Sequence, residues 1–238
     1  VAVIAHISDI HIGGSADSVE RTTRVMNQLR MFPVDAIIVT GDIADHSLLE
    51  EYETVRSLLE TEIPLIICPG NHDYQPELFE KVLGPVNQAL RLPDVTIALA
   101  DSSIPGRNEG YLGDATLSWL DEVLSERPDV PAFVGFHHPP IELGIPYVDE
   151  IMLQSVDRLA AVVERHPHIA GLLVGHAHTA ATGTFAGRPV VVAPGVISTG
   201  LTPFENAPKI PVSYDLPPAY ALHIFTGGRL VTHFRPVP

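Results

Sequence analysis

The chain has 238 residues, a length at which one undivided α/β domain (residues 1–238) with a substantial core is ordinary. Its 29 acidic residues against 14 basic ones leave a formal charge of −15, which argues against a nucleic-acid polymer or an anionic membrane surface as partner, since both call for a basic face. No apolar run is long enough for a membrane span, and a single cysteine, Cys68, excludes an internal disulfide. The apolar start at Val1 lacks the basic region of a secretory leader, so the expectation is a cytoplasmic protein.

Residues 1–7 read as a buried strand in which His6 is a hydrogen-bonded core histidine, and Asp9 and His11 project from the loop that follows. Asp17 or Ser18 caps a helix over 19–31, with Val25, Leu29 and Phe32 inward. The strand over 34–40 ends in Gly41-Asp42, with Asp45 and His46 beyond it as turn residues. A helix over 48–60 buries Tyr52, Val55, Leu58 and Leu59. The next strand runs into Pro69-Gly70-Asn71-His72-Asp73. A turn there needs only Gly and one Asn, so three polar side chains in a row ask for another reason.

A helix over 76–83, a strand over 95–100 and a loop over 101–112 lead to a helix capped by Asp114, with Leu117, Leu120, Val123 and Leu124 inward. The strand over 131–136 ends in His137-His138-Pro139. Residues 141–149 form an apolar loop that walls a pocket or meets a partner, and 151–165 are the last helix. The strand over 169–174 ends in Gly175-His176-Ala177-His178. Hairpins over 182–193 and 220–234 flank a proline-rich surface loop over 203–218. Five apolar strands thus end in carboxylate, carboxamide or imidazole side chains, where an α/β protein builds its site.

Asp9-x-His11, Gly41-Asp42, Gly70-Asn71-His72-Asp73, His137 and Gly175-His176-x-His178, in that order, resemble the calcineurin-like metallophosphoesterases. Within that superfamily the loops 101–112 and 137–144 are most similar to the bacterial cyclic-nucleotide and glycerophosphodiester phosphodiesterases. The resemblance implies a four-layer α/β/β/α sandwich. Seven donors are too many for one closed zinc site and suit two ions if one carboxylate bridges them. By the resemblance, Asp9, His11 and His178 hold the first ion, Asn71, His137 and His176 the second, and Asp42 bridges. Mixed nitrogen and oxygen donors suit iron, manganese, zinc or cobalt, with iron and manganese expected, and disfavour magnesium and calcium.

The same resemblance places His72 against the phosphate as the acid for the departing alkoxide, with Asp73 fixing its tautomer and Asn71 as a further substrate contact; Arg107, a lone loop arginine, is a candidate phosphate clamp, with a plain surface residue as the commoner alternative. The resemblance implies attack on phosphorus by a hydroxide between the metals. His138 is expected to pack beside the true ligand. No role falls to His46, His166, His168, His223 or His233. The expected activity is hydrolysis of small phosphodiesters, 3′,5′-cyclic AMP first and glycerophosphodiesters or other alkyl diesters next. A phosphomonoesterase, a nuclease and a non-catalytic metal-containing scaffold are the alternatives. Tyr111, Tyr147 and Phe204 are the aromatics available to stack a base. A homodimer is expected from family similarity and the apolar loop around 141–148.

Overall fold

The computed structural model describes residues 1–205 and 208–238. In chain order its first half comprises β1 (Ala2–Ile7), α1 (Ser18–Leu29), β2 (Ala36–Thr40), α2 (Leu49–Leu58), β3 (Leu65–Cys68), α3 (Pro76–Leu83), β4 (Gln88–Arg91) and β5 (Thr96–Leu99). Then follow α4 (Asp114–Glu126), β6 (Ala132–Gly135), the short α5 (Pro146–Asp149), α6 (Val156–Arg165), β7 (Ile169–Val174), β8 (Ala181–Phe185) and β9 (Arg188–Val192). The chain closes with β10 (Thr199–Gly200), β11 (Val212–Ser213), β12 (Ala219–Thr226) and β13 (Arg229–Pro236).

Among the described residues these strands make a sheet of order β13-β12-β1-β2-β3, a second of order β4-β5-β6-β7-β9-β8, and the small pair β10-β11. β1, β2 and β3 run parallel, as do β5, β6, β7 and β9, and antiparallel strands close the edges. Both C-terminal hairpins are therefore built into the main sheets.

Alternating side chains explain why the strands read as continuous apolar runs. Ile4, Ile38, Phe133, Leu173 and Phe225 meet in a core between the two sheets. Ala5, Ile7, Ile37 and Val39 face the other way, onto Val25 and Leu29 of α1 and Tyr52 and Val55 of α2. Val134, Leu172 and Val174 likewise turn onto Leu120 of α4 and Leu159 of α6. A strand covered on both faces has no polar side to show. Helices, sheet, sheet and helices make the α/β/β/α sandwich.

Local departures from expectation have tertiary causes. The last helix starts at Val156 because the stretch before it pairs elsewhere: Leu153 N–H donates to the Pro139 carbonyl and Gln154 N–H to the Gly110 carbonyl. Gly113 occupies the N-cap of α4, while Asp114 is its first residue and ion-pairs with Arg158. Phe32 lies past the end of α1 and is exposed. β4 joins as an antiparallel edge strand that the sequence did not announce. The expected loop over 203–218 contains one 3₁₀ turn (Pro203–Glu205) and β11, and its residues 206 and 207 lie outside the described residues.

His6 is buried between the sheets, hydrogen-bonded to Thr40 Oγ1 at 2.7 Å and to His223 at 3.1 Å. It is the satisfied core histidine expected. No helix among the described residues is long and apolar enough to cross a membrane.

Candidate metal centre

The parallel strands of both sheets end side by side, and backbone hydrogen bonds tie the loops after them together. Asp9 N–H donates to the Gly41 carbonyl, His11 N–H to that of Asp42 and Gly175 N–H to that of His137. These loops are strained. Asp9, His11, Asp42, His176 and His178 all have φ between 46° and 69°, the left-handed region that residues other than glycine seldom adopt. Such conformations cost about 1–3 kcal/mol each and persist where the surroundings over-determine them, characteristically at functional sites. The strain turns five side chains inward together.

Asp42 is the hub. Its Oδ2 lies 3.3 Å from His11 Nε2 and 3.2 Å from His137 Nε2. His137 Nε2 also lies 3.2 Å from Asn71 Oδ1 and 3.1 Å from His176 Nδ1, and His178 Nε2 is 3.4 Å from Asp9 Oδ1. Bonds of ~2.0–2.1 Å to one ion would set neighbouring donors ~3.0–3.4 Å apart. These pair distances match the spacing of donors around an ion, and Asp42 Oδ2 stands between the His11 and His137 imidazoles.

Outer partners fix which nitrogen faces inward. His11 Nδ1 is held by Asp45 Oδ1 at 2.8 Å, His178 Nδ1 by Ser198 Oγ at 2.8 Å, and His137 Nδ1–H donates to the Thr40 carbonyl at 2.7 Å. Each Nε2 is left as the nitrogen that could coordinate an ion. Asp9 Oδ1, His11 Nε2 and His176 Nε2 are buried and make no well-directed hydrogen bond, although carboxylate or imidazole atoms lie within 3.4 Å of the first two, so a bound cation would satisfy them. The donor set, its spacing and these orphaned atoms fit a pair of metal ions.

Against this geometry, the family model of the calcineurin-like phosphoesterases matches residues 2–180. The chain belongs to that family. A glycerophosphodiester phosphodiesterase (GpdQ) of Enterobacter lignolyticus is 32% identical over 97% of this chain and 90% of its own length. A 3′,5′-cyclic-nucleotide phosphodiesterase of Nostoc sp. is 32% identical over 74% of this chain and 71% of its own. Among solved structures, a dimetal phosphatase from Danio rerio superposes with a TM-score of 0.77 at 17% identity, covering 100% of this chain and 97% of that one, a likeness of fold.

Two expected contacts of this calcineurin-like site are corrected. Asp73 does not touch the His72 ring. Its carboxylate accepts the amides of Ile43, Ala44 and Gly70 at 2.9–3.1 Å and so ties the Asp42 loop to the Asn71 loop from beneath. Burial and nearby Asp42 push its carboxyl up to about 6 in spite of those amides. The His72 partner is Asp45, whose carbonyl accepts from Nδ1–H at 3.0 Å, with Oδ1 at 3.4 Å. One residue thus orients both His11 and His72. The sequence signal was the spacing Gly41-Asp42-x-x-Asp45, which reads as a turn and which the resemblance sets near the rim of the site. Arg107 is exposed, ion-paired to Glu109, and does not line the cleft above the site.

His138 has both nitrogens engaged, Nδ1 with Ser102 Oγ at 2.8 Å and Nε2 with the Asn108 carbonyl at 3.1 Å, and its ring packs against those of His137 and His176. Ser102, like Ser198, stands beside an imidazole near these loops, yet Ser102 is fully buried and accepts the amides of His137 and His138, which makes it a brace. Burial also pushes the Cys68 thiol well up, so it is no nucleophile.

Gly70 sits where a side chain cannot. A Cβ there would collide with the backbone nitrogen and carboxylate of Asp42. Gly70→Ala, which alters no donor atom, is expected to lower metal content and to reduce turnover ~100-fold or more, because a small misplacement of a site residue has that effect. Elemental analysis and steady-state rates check this; wild-type values would contradict it.

Charge sets the pH dependence. Burial lowers the His11 and His137 imidazoles, but Asp42, with help from Asp45 or Asp9, overrides it and lifts them to about 10 and about 9. Burial opposes ionisation of Asp42, and His137 and His11 overcome it, holding its carboxyl well below the usual range. His176 and His178 are pushed down, chiefly by burial, and stand neutral. A cation entering the metal-free site must therefore displace protons from His11 and His137. Raising the pH removes that competition. Apparent Mn²⁺ affinity is expected to strengthen by about 10- to 100-fold per pH unit from about pH 6 to about pH 8, which competitive chelator titration would read.

Proposed function

We propose that the chain hydrolyses phosphodiesters of small molecules with two bound metal ions. Asp9, His11 and His178 would hold one, Asn71, His137 and His176 the other, and Asp42 would bridge. The observation that carries this is the shared Asp42 Oδ2, within 3.2–3.3 Å of a nitrogen in each donor set. A bound pair of ions, iron and manganese before zinc or cobalt, supplies Lewis acidity and an acidified water for attack on phosphorus. Donors come from both sheets, so in this reading residues 1–238 act as one catalytic unit.

The chain's own part is to orient and to move a proton. His72 lines the cleft, and its Nδ1 is committed to the Asp45 carbonyl, which leaves Nε2 toward the substrate. A proton held at Nε2 passes to the departing alkoxide oxygen as the bond to phosphorus breaks. Asn71 Oδ1 lies 3.2 Å from His137 Nε2 and Asn71 lines the cleft, so in this reading its side chain would border the phosphate. The cleft has a volume of about 270 Å³, suited to a small diester rather than a polymer, and the charge of −15 opposes a nucleic-acid strand.

Cyclic nucleotides, with 3′,5′-cyclic AMP first, are the proposed substrates. Glycerophosphodiesters are the second reading, favoured by the extent of similarity to the GpdQ relative. A homodimer and a cytoplasmic location belong to the same proposal. The apolar loop that suggested a dimer spends much of its apolar surface internally, with Ile145 and Val148 buried. The test is kcat/KM with manganese supplied for cyclic AMP, glycerophosphoethanolamine, AMP and p-nitrophenyl phosphate. A diester should lead. A tenfold lead for either monoester would sink the diesterase reading, and failure of cyclic AMP alone would transfer it to glycerophosphodiesters.

A further inference from the structure

The cleft lining divides in two. Its polar part is the donor cluster with Asp45 and His72, and nearly all the rest is apolar. Residues 145–151 contribute Ile145, Tyr147, Val148 and Ile151. Residues 210–214 contribute Ile210, Pro211, Val212 and Tyr214. Tyr147, Tyr214 and Ile210 are 43%, 52% and 56% exposed, a large apolar exposure within a concavity next to catalytic side chains. Such a surface, apolar with a few convergent polar groups, is the make-up of a ligand site. Among the described residues no lysine or arginine lines it, and no acid beyond Asp42 and Asp45. A second phosphate or a carboxylate would find no lysine or arginine there, and the two acids are already engaged by imidazoles.

The segment 210–214 has little regular structure to hold it in place. Its strand, β11, pairs over two residues with β10. Arg21 of α1 supplies the missing constraint. It is 5% exposed, and its guanidinium donates to the carbonyls of Val196 at 2.8 Å, Leu216 at 2.8 Å and Tyr214 at 3.3 Å. Its nearest carboxylate oxygen, on Asp17, is 3.9 Å away, so backbone carbonyls are what keep the buried cation satisfied. Arg21 thereby fastens the segment to the loop carrying Ile197, which lines the cleft, and Ser198, which orients His178.

We infer that the apolar part of the cleft is a subsite for an apolar or aromatic ester group of the substrate phosphodiester, and that Arg21 is a positioning residue for its 210–214 wall. This deepens the proposed function and rests on it. The subsite selects what is attached to phosphorus, whereas the donor cluster acts on any diester.

The experiment uses inert diester mimics, whose groups are attached through carbon. Binding of diphenylphosphinate and dimethylphosphinate to the manganese-loaded protein is measured by calorimetry, alongside hydrolysis of bis-p-nitrophenyl phosphate by the same preparation. The wild-type chain is expected to bind the diphenyl compound ~10-fold or more tightly than the dimethyl one, the scale on which apolar pockets discriminate. Arg21→Gln should reduce that ratio to about threefold or less. The double variant Tyr147→Ala/Tyr214→Ala, which alters exposed side chains, should do the same and carries the test if Arg21→Gln fails to fold. A wild-type ratio within about twofold, or an undiminished ratio in the tyrosine double variant, overturns the subsite and leaves the diesterase reading standing if the ester is hydrolysed. An undiminished ratio in folded Arg21→Gln overturns its positioning role. Absence of ester hydrolysis by the wild-type protein overturns the diesterase reading and this inference with it.

Discussion

Asp42→Ala is expected to bind less than about half the metal of the wild-type chain and to lose phosphodiesterase activity. Asp42 Oδ2 is the oxygen common to both donor sets, and Oδ1 accepts the His72 backbone amide at 2.9 Å, so one substitution withdraws a donor from each ion and loosens the loop carrying Asn71. Asp42 is the anion between His11 and His137, and its loss leaves two cations close together with less negative charge between them. Asp42→Asn separates the contributions, since it keeps the shape and removes the charge. Elemental analysis reads the outcome. Near-stoichiometric loading of Asp42→Ala would count against a bridging carboxylate.

His72→Ala is expected to keep both ions and to lose turnover by roughly 10²–10⁴-fold, the range for a positioned acid–base group. Its side chain is 40% exposed and supplies no atom to either proposed donor set, so the fold and metal content have little reason to change. The loss should depend on the alcohol released. An alkyl diester needs protonation of a poor leaving group, whereas p-nitrophenolate departs without it. The variant should therefore lose at least about tenfold more on an alkyl diester than on bis-p-nitrophenyl phosphate. Equal losses on both would assign His72 to phosphate binding alone.

The side chains that meet in the cluster were legible because they stand in short, ordered groups after apolar strands, and the parallel register carries strand ends to one edge. The two-sheet arrangement came from the resemblance; alternation of strands and helices did not specify it, and strands covered on both faces hide which face meets the partner sheet. Neighbouring letters misled at Asp73. Adjacency to His72 says nothing of direction, and the chain turns that carboxylate down onto three amides. Asp45 was hidden for the converse reason, since His72, 27 positions away, meets it only once two strand-end loops are folded together. Arg107 drew notice as a cation near phosphate chemistry, and a glutamate two residues on claimed it. The left-handed backbone at Asp9, His11, Asp42, His176 and His178 carries no glycine to mark it; Asp and His tolerate that region better than most, and only the structure shows how many share it.

In the proposed mechanism one carboxylate would join two ions into a single catalytic unit. Its most direct test is reconstitution. Protein stripped with a chelator is titrated with Mn²⁺ while bound metal and bis-p-nitrophenyl phosphate hydrolysis are followed together. The account predicts negligible activity in the stripped protein and full activity only as binding approaches two ions per chain. Saturation of activity at one ion per chain, or hydrolysis that survives complete removal of metal, would contradict it.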